Sequence, residues 1–223
     1  MAAALVIQHA AVEGVGRFAD WLPAHGVDLR ILRPYDADSL PDEVDADALI
    51  VMGGPMGAYD DADVPWLPAT KALLADAVER EIPTLGVCLG AQLLAVAAGG
   101  KVERGEAGPE LGLDSVEIHT PDALFDMGAI PVVQWHYDTV TELPHGAVVL
   151  GSSRRYATQA FRVGTAAWGV QFHVEATARM VSDWASSERL DPAGVVDPVT
   201  AAEERLSAIG EQVARRFAAR VTS

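Results

Sequence analysis

The stretch Pro83-Thr84-Leu85-Gly86-Val87-Cys88-Leu89-Gly90-Ala91-Gln92 constrains this chain more than any other. Pro83 to Val87 is short and apolar, with proline only at its first position, as a buried parallel strand requires. Leu89 to Ala98 is rich in good helix formers. Cys88 therefore falls on a strand-to-helix turn, with glycine two residues before it and two after. That spacing marks a nucleophile elbow, a turn so tight that side chains at the flanking positions would collide. A thiol placed there has a helix amino terminus to favour its thiolate and unpaired first-turn N–H groups to hold an oxyanion. A small buried hydrophobe is the alternative reading of a lone cysteine.

The rest of the chain alternates strands and helices in a way that fits this turn. Ala3 to His9, Val27 to Arg33 and Ala48 to Met52 read as strands, and Arg17 to His25 and Trp66 to Arg80 as amphipathic helices. After Gly99-Gly100 come short strands between polar loops: 101–104, 114–119, 130–134, 148–152, 159–163 and 166–172. They are expected to add antiparallel strands to the sheet. Two closing helices, 176–190 and 198–221, are expected, with Asp191-Pro192-Ala193-Gly194 as the turn between them. The expected fold is α/β: an open, mostly parallel central sheet of flavodoxin type with helices on both faces, plus the antiparallel strands. With 223 residues, half of them hydrophobic, one domain spanning residues 1–223 is expected, with its motifs within 3–178 and a C-terminal helical extension over 179–223.

Charge and cysteine content exclude several functions. A net charge of −16 argues against a nucleic-acid partner or an anionic membrane surface. One cysteine allows no intrachain disulfide and no cysteine-rich zinc site, and suits a reducing cytoplasm. The apolar start, Met1 to Ile7, is too short for a membrane span. Asp60, Asp61 and Asp63 lack the spacing and closing glutamate of a calcium loop and read as a solvated turn, so neither metal nor cofactor is expected.

A thiolate nucleophile needs a base and a group to orient that base. Of six histidines, His9, His25, His119 and His145 sit at strand ends or turns. His173 follows the apolar run Trp168 to Phe172, and Glu175 lies two residues on. Strand alternation would send both to one face, where the carboxylate can fix the imidazole tautomer. Such a pair is also common on surfaces. Gly53-Gly54-Pro55-Met56-Gly57, after the third strand, would expose backbone N–H groups at the sheet's carboxyl edge or serve as an ordinary tight turn.

Together, Gly53-Gly54-Pro55, Gly86 to Gln92 and Gly169-Val170-Gln171-Phe172-His173-Val174-Glu175 resemble the class I glutamine amidotransferases in order and spacing. Met56, Pro65-Trp66-Leu67 and Trp135-His136-Tyr137-Asp138-Thr139 look most like their stand-alone, GMP-synthase-like branch. The resemblance implies that Cys88 is the nucleophile, His173 the general base and acid, and Glu175 the orienting residue. It implies an oxyanion hole from the backbone N–H groups of Gly54 and Leu89, and substrate contacts at Gln92, His136, Tyr137 and Asp138.

The implied activity is hydrolysis of the glutamine γ-amide through a γ-glutamyl thioester. The alternative with the same three residues is hydrolysis of γ-glutamyl peptides or amines, and a third is a non-catalytic binding or regulatory subunit. Ala91 stands where many relatives have histidine, Val174 where proline is usual and Tyr137 where glycine is frequent. The first two leave the catalytic atoms untouched, whereas Tyr137 puts a bulky group in the substrate loop. Only 48 residues follow Glu175, too few for a nucleotide-binding domain, so amination of an acceptor would need a separate synthetase or acceptor enzyme.

Overall fold

A computed structural model describes the backbone of residues 1–223 and every side chain except that at position 192. In chain order the strands and helices are β1 (Ala2–Ile7), α1 (Phe18–Ala24), β2 (Val27–Leu32), β3 (Ala48–Val51), α2 (Leu67–Glu79), β4 (Thr84–Val87) and α3 (Leu89–Ala97). There follow β5 (Lys101–Arg104), β6 (Glu110–Ile118), β7 (Gly128–His136), β8 (Asp138–Glu142), β9 (Val148–Ser152), β10 (Ala160–Val163) and β11 (Ala167–Val170). The chain closes with α4 (Ala178–Ser187), α5 (Pro192–Ala201) and α6 (Glu203–Val221).

Nine strands form one sheet in the order β2-β1-β3-β4-β11-β10-β9-β6-β7. The first five are mutually parallel, and the last four join antiparallel. The parallel strands are buried on both faces, so they read as continuous apolar runs. Alternation along them feeds two cores. Val6, Ile50 and Val87 face α1 and α6 through Phe18, Leu22 and Phe217. Leu5, Ile7, Leu49 and Val51 face α2 and α3 through Leu73, Leu74, Leu93 and Leu94. A third cluster packs α4 and α5 on β7, centred on Trp135, Val181, Trp184 and Val199. No helix among the described residues is long and apolar enough to cross a membrane.

Three local expectations are corrected. The last strand of the second half, β11, runs parallel to β4, because it returns to the centre of the sheet beside the elbow strand. β5 leaves the sheet and pairs with β8 in a two-stranded ribbon. β8 is acidic and short, without the apolar alternation that marks a strand, and is held partly by opposite charges such as Arg104 with Asp138. Asp191-Pro192 starts a helix instead of making a turn. Asp191 caps α5 by accepting the Ala193 N–H at 3.2 Å, and proline suits the first helical position. The single helix expected over 198–221 is thus two, α5 and α6.

Candidate active site

Cys88 occupies the junction of β4 and α3 with φ 52° and ψ −108°, a backbone region that non-glycine residues rarely adopt. Its flanking glycines are sterically required. A Cβ on Gly86 would lie 2.5 Å from the Gly90 carbonyl oxygen, and one on Gly90 would lie 2.0 Å from that of Val51. The Cys88 N–H donates to Val170 O at 2.8 Å, tying the elbow to the end of β11. Sγ lies 3.6 Å from Trp135 O, and Gln171 Nε2 donates to it at 3.7 Å.

His173 comes three residues after β11 ends. Its N–H donates to Val133 O at 2.8 Å in an isolated bridge to β7. The His173 ring, buried, places Nδ1 2.8 Å from Glu175 Oε1, and Trp184 of α4 lies against it with centroids 4.7 Å apart. Burial is the largest single influence on His173 and lowers its pKa. The Glu175 charge and hydrogen bonds with Cys88 and Glu175 together outweigh it, so the imidazolium is held well above its ordinary range. Glu175 O accepts the Arg17 N–H at 2.9 Å, which anchors this segment to the start of α1.

Gly54 and Leu89 line one pocket with Cys88. A Cβ on Gly54 would lie 2.9 Å from Leu89 Cδ2, so the two backbones are close neighbours. Leu89, the first residue of α3, has no intrahelical acceptor for its N–H. His9 stands beside Gly54 and accepts from Trp66 Nε1 at 3.0 Å. Burial lowers its pKa to about 4, so it is neutral.

The remaining expected residues are brought to the same pocket, whose volume is about 650 Å³, but in different ways. Gln92 is buried and donates to Gln171 Oε1 at 3.2 Å and to Asp138 O at 3.3 Å. His136 is locked at both ring nitrogens, Nε2 lying 3.0 Å from Glu110 Oε2 and Nδ1 3.0 Å from Asp138 O. Burial acts most strongly on the Glu110 carboxyl and raises it, but hydrogen bonds from His136 and Ser153 hold it below its ordinary range. Asp138 lies beside Arg104, and the Arg104 guanidinium sits 4.4 Å from the centre of the Tyr137 ring. Tyr137 donates its hydroxyl to Glu188, the residue capping the end of α4.

Among the pocket residues that sequence reasoning missed are Glu13, Trp184 and Glu188. Two of these residues come from α4 and its C-terminal cap. Trp184 Nε1 donates to Val12 O at 2.9 Å, and Glu188 Oε1 accepts from Trp135 Nε1 at 2.8 Å. The one available signal for Glu13 was its place in the loop after β1, at the sheet's carboxyl edge, where open α/β sheets bind ligands.

Comparison with known proteins returns the model for "Glutamine amidotransferase class-I", matched over residues 19–182. GMP synthase [glutamine-hydrolyzing] of Porphyromonas gingivalis is 34% identical over 63% of this chain and 27% of its own length. Gamma-glutamyl peptidase 5 of Arabidopsis thaliana is 30% identical over 65% of this chain and 61% of its own. The chain thus spans about a quarter of the GMP synthases it matches and about three-fifths of the plant peptidases. Among solved structures, a glutamine amidotransferase of Thermotoga maritima superimposes with TM-score 0.87 at 29% identity, over 97% of this chain and 98% of that one. A glutamine amidotransferase of Methylobacillus flagellatus gives TM-score 0.88 at 33% identity, over 97% and 94%.

Proposed function

Because this chain belongs to the class I glutamine amidotransferase family, we propose that it cleaves γ-glutamyl amides, glutamine being the smallest, through a thioester on Cys88. The observation that carries this reading is the meeting of the Cys88 elbow with the His173–Glu175 pair, whose Nδ1 and Oε1 lie 2.8 Å apart. Cys88 Sγ attacks the γ-carbonyl carbon. The resulting oxyanion lies toward the N–H groups of Gly54 and Leu89, and each such donor contributes about 3 kcal/mol of transition-state stabilisation. His173, held as the imidazolium by Glu175, gives its proton to the leaving nitrogen as the C–N bond breaks. The neutral imidazole then takes a proton from water, which attacks the thioester and releases glutamate.

A strained elbow favours this role, since a merely structural cysteine gains nothing from a positive φ. Incubation with a glutamine-like chloroketone tests it. Covalent capture confined to Cys88, and loss of glutamate release in Cys88→Ala with an unchanged melting temperature, are the expected results. Hydrolysis that survives in Cys88→Ala would sink the reading, and no adduct on Cys88 together with unchanged behaviour of the variant would favour a binding or regulatory subunit.

The pocket, about 650 Å³, is larger than glutamine needs, which favours a second reading in which γ-glutamyl conjugates are also substrates. Transfer of the released ammonia to an acceptor is a further reading, and there a separate synthetase chain would supply the nucleotide site. Rates with glutamine and γ-glutamyl conjugates, measured with and without such a chain, separate these cases.

A further inference from the structure

Glu13 is the unexplained group of this pocket. It lies in the loop between β1 and α1, is only 9% exposed and opens on the cavity. None of the influences on its carboxyl is a hydrogen bond: burial comes first and raises it, the His173 charge lowers it, and the Glu175 and Glu188 charges raise it, to about 7. A buried carboxyl without a donor is costly, and the fold has kept one facing the reaction centre.

Its position identifies which part of a substrate it meets. A Cβ on Gly53 would lie 2.8 Å from Glu13 Oε2 and 3.3 Å from His173 Cε1, so the carboxyl and the imidazole flank one point. His173 is the group that protonates the leaving nitrogen, which places Glu13 beside the leaving group. Apart from the His173 imidazolium, which gives up its proton as the leaving group departs, the charges around it are mostly negative. Asp60, Asp138 and Glu188 also line the pocket, and Arg104 is the one cation among the described lining residues. Arg104 is already committed, 3.7 Å from Asp138 and over the Tyr137 ring. Glu188 is held by two neutral donors, Trp135 Nε1 and the Tyr137 hydroxyl, so its charge meets no cation.

The geometry points to a leaving-group subsite for a cationic amine, in which Glu13 pairs with a second ammonium of the leaving amine, so that the preferred substrates are γ-glutamyl amides of diamines. This rests on the thioester reading above. An amino-acid leaving group would bring its own carboxylate against Glu13, Asp60 and Glu188, whereas a diamine brings the missing charge. The distal ammonium stays protonated throughout. Only the nitrogen bonded to the γ-carbonyl takes the His173 proton as it departs.

Three conjugates of the full chain's substrate class test this: γ-glutamyl-1,4-diaminobutane, the uncharged γ-glutamylbutylamide of similar length, and γ-glutamylglycine. The diamine conjugate is expected to exceed the butylamide in kcat/KM by about tenfold or more, with the glycine conjugate lowest. Glu13→Gln should bring the diamine-to-butylamide ratio toward one, and Glu13→Asp should restore part of it. Calorimetric titration of Cys88→Ala with the same three compounds reads the order of affinity without turnover. A glycine conjugate that matches the diamine conjugate in both measurements, or a ratio unchanged in Glu13→Gln, overturns the subsite. Failure of the thioester reading looks different, because cleavage would then persist in Cys88→Ala whatever the order of preference.

Discussion

Replacing Glu13 by glutamine should stabilise this protein, and only at neutral to alkaline pH. Burial is the first cause of the rise in its carboxyl from 4.5 to about 7. A folded-state value above the unfolded one means that protonation favours the fold. The Glu13 contribution is therefore fully present below about pH 4.5, and it is lost as the pH rises through about 7. Complete loss corresponds to about 3 kcal/mol. Glutamine keeps the size and neutrality of the protonated acid at every pH, so the variant escapes that loss. At this chain length each kcal/mol moves the melting temperature by about 2–4 °C. Calorimetric melting at pH 8.5 should then place Glu13→Gln about 6–12 °C above the parent, with the two coinciding at pH 4.5. A gain that is the same at both pH values, or absent at pH 8.5, refutes the assignment of a buried carboxyl without a partner. Addition of 1,4-diaminobutane should narrow the gap at pH 8.5 by stabilising the parent alone.

Three further substitutions, with Gly194→Ala as a control, probe the framework around the site. Gly90→Ala would set a methyl 2.0 Å from the backbone oxygen of Val51, so α3 must move off β3 at a cost of about 3 kcal/mol, whereas Gly194→Ala, with open space around it, should be neutral or slightly stabilising. Thermal melts of the pair decide this, and equal melting temperatures would contradict the close approach. Glu175→Gln removes the foremost upward influence on His173, so the alkaline limb of the kcat/KM profile should move to lower pH. The stability that His173 gains from its raised value is fully present below about pH 6.5 and is lost as pH rises through the folded value, so this variant should lose most at acid pH. An unmoved limb would contradict the assignment. Trp184→Phe leaves the Val12 carbonyl without its donor and should cost about 1–3 kcal/mol in chemical denaturation, together with a fall in kcat larger than any change in KM; wild-type kcat would show that Trp184 does not position His173.

The elbow was legible because its requirement is local: two glycines around a residue forced to positive φ is a steric rule written within five positions. The His173–Glu175 contact was expected from strand alternation, but β11 stops at Val170. The bridge from His173 to Val133 and the packing of Trp184 now hold the pair in place. The outcome matched while part of its cause was tertiary. Asp191-Pro192 was misread because the same two residues serve as a turn or as a helix cap, and the capped N–H decides which. Glu13 carries no periodic signature at all. Its burial depends on Gly53 and on α4, distant segments whose approach the chain order does not reveal.

That dependence gives α4 a role distinct from the elbow's. Trp184 packs on the His173 ring and also holds the carbonyl of Val12, next to Glu13. Four residues later Glu188 receives Trp135 and Tyr137, and the Trp135 carbonyl lies against Cys88 Sγ. One short helix and its cap thus brace His173, the loop that carries Glu13 and the strand behind Cys88. The thioester chemistry proposed above rests on the elbow, His173 and Glu175, which lie at the end of β4 and after β11. Under the subsite proposed for Glu13, selection among leaving groups rests with the β1–α1 loop and α4, which line the pocket. A change of substrate should therefore be obtainable by altering Glu13, Tyr137 and Glu188 while Cys88, His173 and Glu175 stay as they are.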